Sequence, residues 1–584
     1  MTDRRFGATR VALLGTARWV LGLTWATNPA LLLGVIGLAL AHATVAAGLA
    51  LAARGLLNAA VAELGSGRGR LAPLAPWLLL GLAFALVEVL TPPVGRYLQR
   101  RLTQVVELAA TSRLLTHASA LSPAQVEGPG PRALLEGARE ACSRQLARLI
   151  TELVIIVTEL VQGALLAAVL IHVAPLALAL VAPAVLLYFA AEWRAMGLYQ
   201  AEAPARALKQ RWARYFSGLV TDERSGNEIR LLGLAPTLVA RFRALSDQLE
   251  ADERRRARGR LGTTAAFGVL TTVAFYACLA LVAARAVTGG LTVGDVAVFV
   301  AVSARLRSSL GRLVLAVTYT LAAVAAAEAL RTFLAIRPDR AAPGAAASPP
   351  APSGPGVEVE DVWFTYPGAE QPALTGVSLS IRPGEIVALA GPNGAGKTTL
   401  IKLLAGLYRP DRGRILVDGR DLAEWPVEAY REKLAVVSQE SARFEATARD
   451  NIAFGHRTAL SGPLESVERI AAAAGVHELV GGLPRGYHTT LGPMFGEHDL
   501  SSGQWQQVVA ARAQARPASV WLLDEPSAHM DDRAEEELLQ RLRELAPGRS
   551  ILLVSHRPRL LAGAHRVIAL EGGRVAAAAC APEG

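Results

Sequence analysis

The run GPNGAGKTT, residues 391–399, has the residue types needed to hold a polyphosphate. It follows an apolar stretch, IVALA, and opens a helix-compatible one, LIKLLAGL, the strand–loop–helix setting in which this spacing binds phosphate. Gly391, Gly394 and Gly396 let the backbone wrap the phosphates with its N–H groups, and Lys397 offers a point charge to the β- and γ-phosphates. Thr398 can ligate Mg2+, the helix N-terminus adds a favourable dipole, and Asn393 and Thr399 complete the expected lining. A Gly-rich turn is often only a turn, but the full G-x4-G-K-T spacing is seldom idle. Downstream, SVWLLDEPS (519–527) is an apolar strand ending in two acids. Asp524 would hold Mg2+, directly or through water, and Glu525 would polarise the water attacking a phosphate. Two acids at a strand end commonly mark a solvated loop; beside a phosphate loop that reading becomes minor.

Such residues need a scaffold of strands and helices, and the chain around them has that pattern. Short β-rich runs at 357–364, 385–389, 415–417, 519–523 and 551–554 alternate with helical stretches, the signature of an α/β domain on a largely parallel sheet. Before it, residues 338–356 are rich in Pro, Ala, Gly and Ser; such a stretch cannot bury a core and reads as a linker.

The 584 residues exceed what one core supports, and the apolar excess within the overall 52% lies before residue 335. Six runs approach the roughly 20 apolar residues that a bilayer crossing requires: 29–53, 73–97, 149–173, 176–191, 262–287 and 293–324. The connections after the third and fifth runs are short, whereas those after the second and fourth are long, charged and helix-compatible. The net charge of +10 is almost all arginine, since the only lysines are Lys209, Lys397, Lys402 and Lys433. Arginine clusters flank the apolar runs, which argues for cytoplasmic long loops rather than nucleic-acid binding. Arg54, Arg68 and Arg70 in an outer loop are exceptions to that bias. Residues 1–26 lack the short apolar core and cleavage site of a signal peptide and are expected to form an elbow helix on the cytoplasmic membrane surface. Cys142, Cys278 and Cys580 have neither metal-ligand spacing nor a disulfide framework.

A third motif, LSSGQWQQ (500–507), decides the family. The phosphate loop, VVSQE with Gln439, LSSGQ, LLDEPS and LLVSH with His556 occur in that order. This resembles the nucleotide-binding domain of the ABC superfamily, and six preceding spans resemble its exporters; the likeness covers nearly the whole chain. It implies a multi-domain fold: an elbow at 1–26, an all-α six-helix transmembrane domain at 27–336, a linker at 337–355 and an α/β P-loop NTPase domain at 356–584. It also implies a head-to-tail dimer, each ATP held between one phosphate loop and the other copy's Ser501, Gly503 and Gln504. By the same resemblance Tyr366 stacks on adenine, Gln439 ligates Mg2+ and senses the membrane domain, His556 contacts the γ-phosphate, and Asp531 serves communication across the dimer. Taken alone, Tyr366, Gln439 and His556 would each read as ordinary core or surface residues.

Two departures stand out. The family's usual LSGGQ reads LSSGQ here, so Ser502 replaces its first glycine, which would cost something if that backbone needs positive φ. The segment after Glu525 ends in Ala528-His529-Met530-Asp531 rather than S-A-L-D, keeping Asp531 alone. With Glu525 and His556 both present, an active ATP site is expected. The resemblance further places coupling helices near 122–133 and 216–223.

Ionisable groups within spans are functional candidates by default: Glu88, Glu159, Arg305, Arg307 and Arg312. Arg305 and Arg312, seven apart, share a helix face; pairing with Glu88 and Glu159 would build a polar cavity, although long helices could also carry Arg312 to the inner interface. The expectation is ATP-driven export of an amphipathic small molecule or peptide across a bacterial cytoplasmic membrane. A homodimer is the simplest assembly, with a heterodimer subunit or a siderophore-type importer as alternatives. A soluble ATPase acting on nucleic acid is disfavoured by the spans.

Overall fold

The computed structural model describes residues 2–66, 70–173, 175, 190–191, 194, 203–338, 356–439, 441–496, 498–527 and 532–580. They divide into two compact units, one of residues 1–116 and 134–334, the other of residues 117–133 and 335–584.

The first unit is helical: α1 (Thr2–Thr27), α2 (Pro29–Ser66), α3 (Ala75–Ala120), α4 (Pro123–Val126), α5 (Pro129–Glu140), α6 (Leu146–Val173), α7 (Ala203–Thr221), α8 (Glu223–Leu231), α9 (Ala235–Val287) and α10 (Val293–Leu334), with α4 and the start of α5 grouping instead with the second unit. Among the described residues five helices, α2, α3, α6, the second half of α9, and α10, are long and apolar enough to cross a membrane. The fourth expected span, 176–191, lies almost wholly outside the described residues. At 46 residues, α3 is about 70 Å long, against a hydrocarbon core of about 30 Å, so it must continue far into the aqueous phase. Glycines set the approach of α2 to α3. A Cβ at Gly48 would fall 2.3 Å from the Phe84 ring, and one at Gly55 would fall 2.1 Å from Trp77. Small residues that let a ring rest on a neighbouring backbone are the usual device of helix packing in lipid.

Helices α6 and α10 run antiparallel and form the spine. Arg148 lies 3.9 Å over the Tyr319 ring, Glu159 meets Ser309 and Arg312, and Leu166 and Leu170 share an apolar cluster with Val298, Phe299 and Val302. Arg54 is neutralised by Asp295 at 2.6 Å, which accounts for one exception to the charge bias. The N-terminal helix α1 passes into α2 through Asn28, whose Oδ1 accepts from Leu31 N at 3.0 Å. It buries Thr16, Val20, Leu23 and Thr24, and the Thr16 hydroxyl donates to Glu328 of α10. One face of this expected elbow is therefore packed on protein.

The second unit has two sheets. Strands β1 (Val357–Phe364), β2 (Leu374–Ile381), β4 (Arg412–Val417) and β5 (Arg420–Asp421) make an antiparallel sheet in the order β2-β1-β4-β5. The larger sheet has the order β10-β9-β3-β8-β7-β6, from β3 (Ile386–Ala390), β6 (Leu434–Val437), β7 (Val520–Asp524), β8 (Ser550–Val554), β9 (Arg566–Glu571) and β10 (Arg574–Cys580). It is parallel apart from β10. β7 and β8 are buried at every residue, as strands covered on both faces must be. β1 instead largely alternates in burial, as a strand of an antiparallel sheet with one covered face does.

Candidate nucleotide site

The site sits at the C-terminal ends of the parallel strands, where open α/β sheets bind ligands. β3 runs into the loop 391–396, and α11 (Lys397–Leu404) leaves it. Gly391 has φ +148°, and a Cβ there would stand 2.1 Å from the Leu570 carbonyl oxygen. Gly396, at φ +101°, would place one 2.8 Å from the Ala373 carbonyl oxygen. No side chain fits either position, so the loop stays an open cradle of backbone N–H groups. Lys397 Nζ folds across it and donates to the carbonyls of Gly391 at 2.6 Å and Pro392 at 2.9 Å. Burial pulls the Lys397 ammonium below its ordinary pKa, against the opposing charges of Glu525 and Asp524.

The register β6–β7–β8 gathers the remaining groups. Val437 pairs with Leu523, and Asp524 with Val554, so the residues leaving all three strands meet at one edge. Asp524 is 3% exposed; burial pushes its carboxyl up, while a hydrogen bond from Thr398 opposes the rise. Glu525 has φ +50°, and its N–H donates to the Val554 carbonyl at 3.0 Å. Its carboxylate accepts from Gln439 Nε2 at 3.3 Å and lies 3.4 Å from His556 Nε2. Tyr366 Oη lies 3.2 Å from Thr399 Oγ1. Thr398 and Asp524 thus present a hydroxyl and a carboxylate side by side, an all-oxygen pair suited to a hard divalent cation.

The structure brings Lys397, Thr398, Gln439, Asp524, Glu525 and His556 together at one sheet edge. Residues 374–528 match the family model described as ABC transporter. An ATP-dependent lipid A-core flippase of Chromobacterium violaceum is 32% identical over 372 residues, 64% of this chain and 62% of that protein. Residues 374–528 are thus similar to an ABC transporter domain. Another ATP-dependent lipid A-core flippase, from Dechloromonas aromatica, is 42% identical over 219 residues, 37% of this chain and 36% of that one. The matches thus span less than two thirds of either relative's length. A solved structure of a bacterial Atm1-family ABC exporter with ATP bound shares the fold, with TM-score 0.74 over 95% of this chain and 96% of that chain at 22% identity. The ABC transporter match thus lies in the α/β unit, and the chain as a whole shares the fold of that exporter.

The ABC signature segment LSSGQ stands apart from the cluster. Ser501 caps α12 (Ser502–Gln514): its hydroxyl accepts from Gln504 N at 3.3 Å, and Gln504 Oε1 accepts from Ser501 N at 2.9 Å. Among the described residues no hydrogen bond links Ser501, Gly503 or Gln504 to the phosphate loop. Ser502 is the first helical residue and is not among the positive-φ positions, so its Cβ brings no backbone strain there. Asp531 and the 528–530 variant lie outside the described residues. Arg512 went unnoticed in the sequence. It donates to the Asn451 carbonyl and side chain, both at 2.9 Å, and to the Ala442 carbonyl at 3.0 Å, tying α12 to the segment after Gln439.

In the ABC helical domain, Arg312 grips Glu159 through Nε at 2.5 Å and Nη2 at 3.1 Å, and Ser309 donates to the same carboxylate at 2.6 Å. Glu88, expected to pair with the arginines, forms no ion pair with them among the described residues. Arg307 turns to Thr272 at 3.0 Å. Arg305 Nε and Gln162 Nε2 are buried without a hydrogen-bond partner among the described residues.

Proposed function

We propose that the chain is one half of an ATP-driven exporter that works as a dimer, most simply a homodimer, in a bacterial cytoplasmic membrane. The observation that carries this reading is the meeting of Lys397, Asp524, Glu525, Gln439 and His556 at one sheet edge, in a chain whose described residues include five apolar helices of membrane-crossing length. Glu525 takes the proton of the water that attacks the γ-phosphate, while Gln439 and His556 hold its carboxylate in place. Lys397 leaves the loop carbonyls and turns to the phosphates; Tyr366 stacks on the base. Thr398, Asp524 and Gln439 would hold Mg2+, which supplies charge neutralisation on the phosphates when bound. Ser501, Gly503 and Gln504 serve the partner's nucleotide, which suits their distance from the cradle in their own chain. Closure on ATP and release after hydrolysis would shift the helices between inward- and outward-facing states.

The transported molecule is amphipathic, a small molecule or peptide. Gln162 is 1% exposed, and an unpaired donor that deep in an apolar bundle is costly. It and Arg305 each lie one turn from the Glu159–Ser309 contact, so an acceptor-bearing polar group on the substrate suits this level of the bundle. Purified chain in lipid vesicles tests the proposal. ATP-dependent phosphate release by this chain alone, and accumulation of an amphipathic dye on the side away from the ATPase domain, are expected. Silence in both assays would refute a self-sufficient exporter.

A further inference from the structure

Three rings close a triangle beside the cradle. Their centroids are 5.0 Å apart for Phe364 and Tyr366, 5.3 Å for Phe364 and Tyr408, and 5.5 Å for Tyr366 and Tyr408, each meeting edge to face. Lys402 Nζ lies 5.4 Å over Tyr366 and 6.0 Å over Tyr408. Tyr366 turns its hydroxyl to the phosphate-loop helix, whereas Tyr408, only 5% exposed, donates its own to Glu127. Glu127 ends α4, within the 117–133 segment that the chain inserts between α3 and α6 and that folds with the ATPase unit. The same segment packs Ala124 against the core cluster that holds Tyr408.

We propose that Tyr408 is a positioning residue that reports an occupied base site from Tyr366 to Glu127, and so to the loop joining two membrane helices. This rests on Tyr366 being the base platform of an ATP site. Edge-to-face pairs are directional, so a purine fixing the Tyr366 ring also fixes the edge on which Tyr408 rests. Burial and the adjacent Glu127 carboxylate both keep the Tyr408 phenol protonated, so it remains a donor throughout the physiological range. Inorganic tripolyphosphate would fill the loop yet leave the face of Tyr366 untouched. The segment 117–133 should therefore distinguish ATP from tripolyphosphate.

The experiment is hydrogen–deuterium exchange on the full chain in lipid nanodiscs, with Glu525→Gln to stop turnover and Mg2+ throughout. ATP should slow uptake in 117–133 about threefold, tripolyphosphate should not, and Tyr408→Phe should abolish the ATP effect with affinity for ATP changed less than about twofold. Tyr408→Phe keeps all three rings; should it nevertheless unfold, Glu127→Ala at an exposed position gives the same test and the same expected loss. Glu127→Gln, which keeps an acceptor, should retain the protection. Protection that persists in Tyr408→Phe or Glu127→Ala, or that tripolyphosphate equals, overturns the proposal while leaving the ATPase reading intact. A chain that binds neither nucleotide nor tripolyphosphate in the same titration overturns both.

Discussion

Glu525 sits at φ +50°, one of three non-glycine residues with positive φ among those described, and it is the residue proposed to take the proton of the attacking water. Such a backbone costs of order 1–3 kcal/mol and persists only where the surroundings over-determine it. Here the N–H bond to Val554, Gln439 on one carboxylate oxygen and His556 on the other do so. Glu525→Gln keeps shape and hydrogen bonding but removes the base, so phosphate release should fall about 100-fold or more while ATP binding survives. Retention of near-parental turnover would remove Glu525 from the mechanism. Asp524 makes a second residue-scale prediction. Burial raises its pKa in the free protein, and a bound cation would favour the ionised form, so Mg2+-dependent ATP binding should weaken as pH falls through that raised value. Asp524→Asn should flatten this pH dependence, measured as the difference between ATP affinities with and without Mg2+. Asp524 and Glu525 are legible in the sequence because two acids at a strand end beside a phosphate loop suit phosphate chemistry, whereas Gln439 and His556 stand out only through the resemblance to the ABC superfamily. Tyr408 is not legible. Its role is set by Glu127, 281 positions away, a pairing that no local pattern encodes.

At the scale of elements, α12 shows why a departure from a motif can be harmless. Ser502 occupies the first helical position, where any residue fits, whereas Ser501 supplies the cap and Gln504 completes the reciprocal bond. Ser501→Ala should therefore cost about 1 kcal/mol in denaturant unfolding of the ATPase domain, and Ser502→Gly only a few tenths. Equal losses would contradict the cap. The strand pattern was readable for β3, β7 and β8, whose unbroken apolar runs announce a parallel, doubly covered sheet. It was less so for β1 and β4, because sheet membership depends on long-range pairing rather than on the strand's own residues. In the helical unit the sequence identifies the charges but only part of their pairing: Glu159 meets Arg312 as anticipated, Glu88 on α3 pairs with none of the arginines among the described residues, and no motif marks Gln162. Glu159 is 7% exposed while the Arg312 side chain is 43% exposed, so the pair is half-solvated and its full buried value does not apply. Glu159→Ala should cost about 2 kcal/mol, and adding Arg312→Leu should recover part of it, because the loss comes mainly from stranding the partner charge. A double variant no more stable than the single one would place the cost in packing instead.

At the scale of the molecule, the separation of LSSGQ from the cradle is the point that a single chain cannot resolve internally. The cradle has its lysine and acids in place, yet among the described residues no donor from Ser501 or Gly503 reaches it. On the proposed dimer a second chain would supply those donors, and the apolar helices would give both copies one membrane plane in which to meet. That geometry can be trapped. The three native cysteines would first be replaced, after which a cysteine at Ala395 and another at Ser501 should cross-link between copies, not within one. Disulfides need Cα atoms within about 7 Å, so bonding reports close approach rather than mere association. In a Glu525→Gln background with ATP and Mg2+ the dimer band should dominate, and without nucleotide it should be weak. Mixing a chain carrying only the Ala395 cysteine with one carrying only the Ser501 cysteine should give the same product, since each cradle meets the other chain's signature helix. Cross-linking that is confined to single chains, or that ignores ATP, would mean that the nucleotide is not shared between copies, and alternating access driven by closure would lose its physical basis.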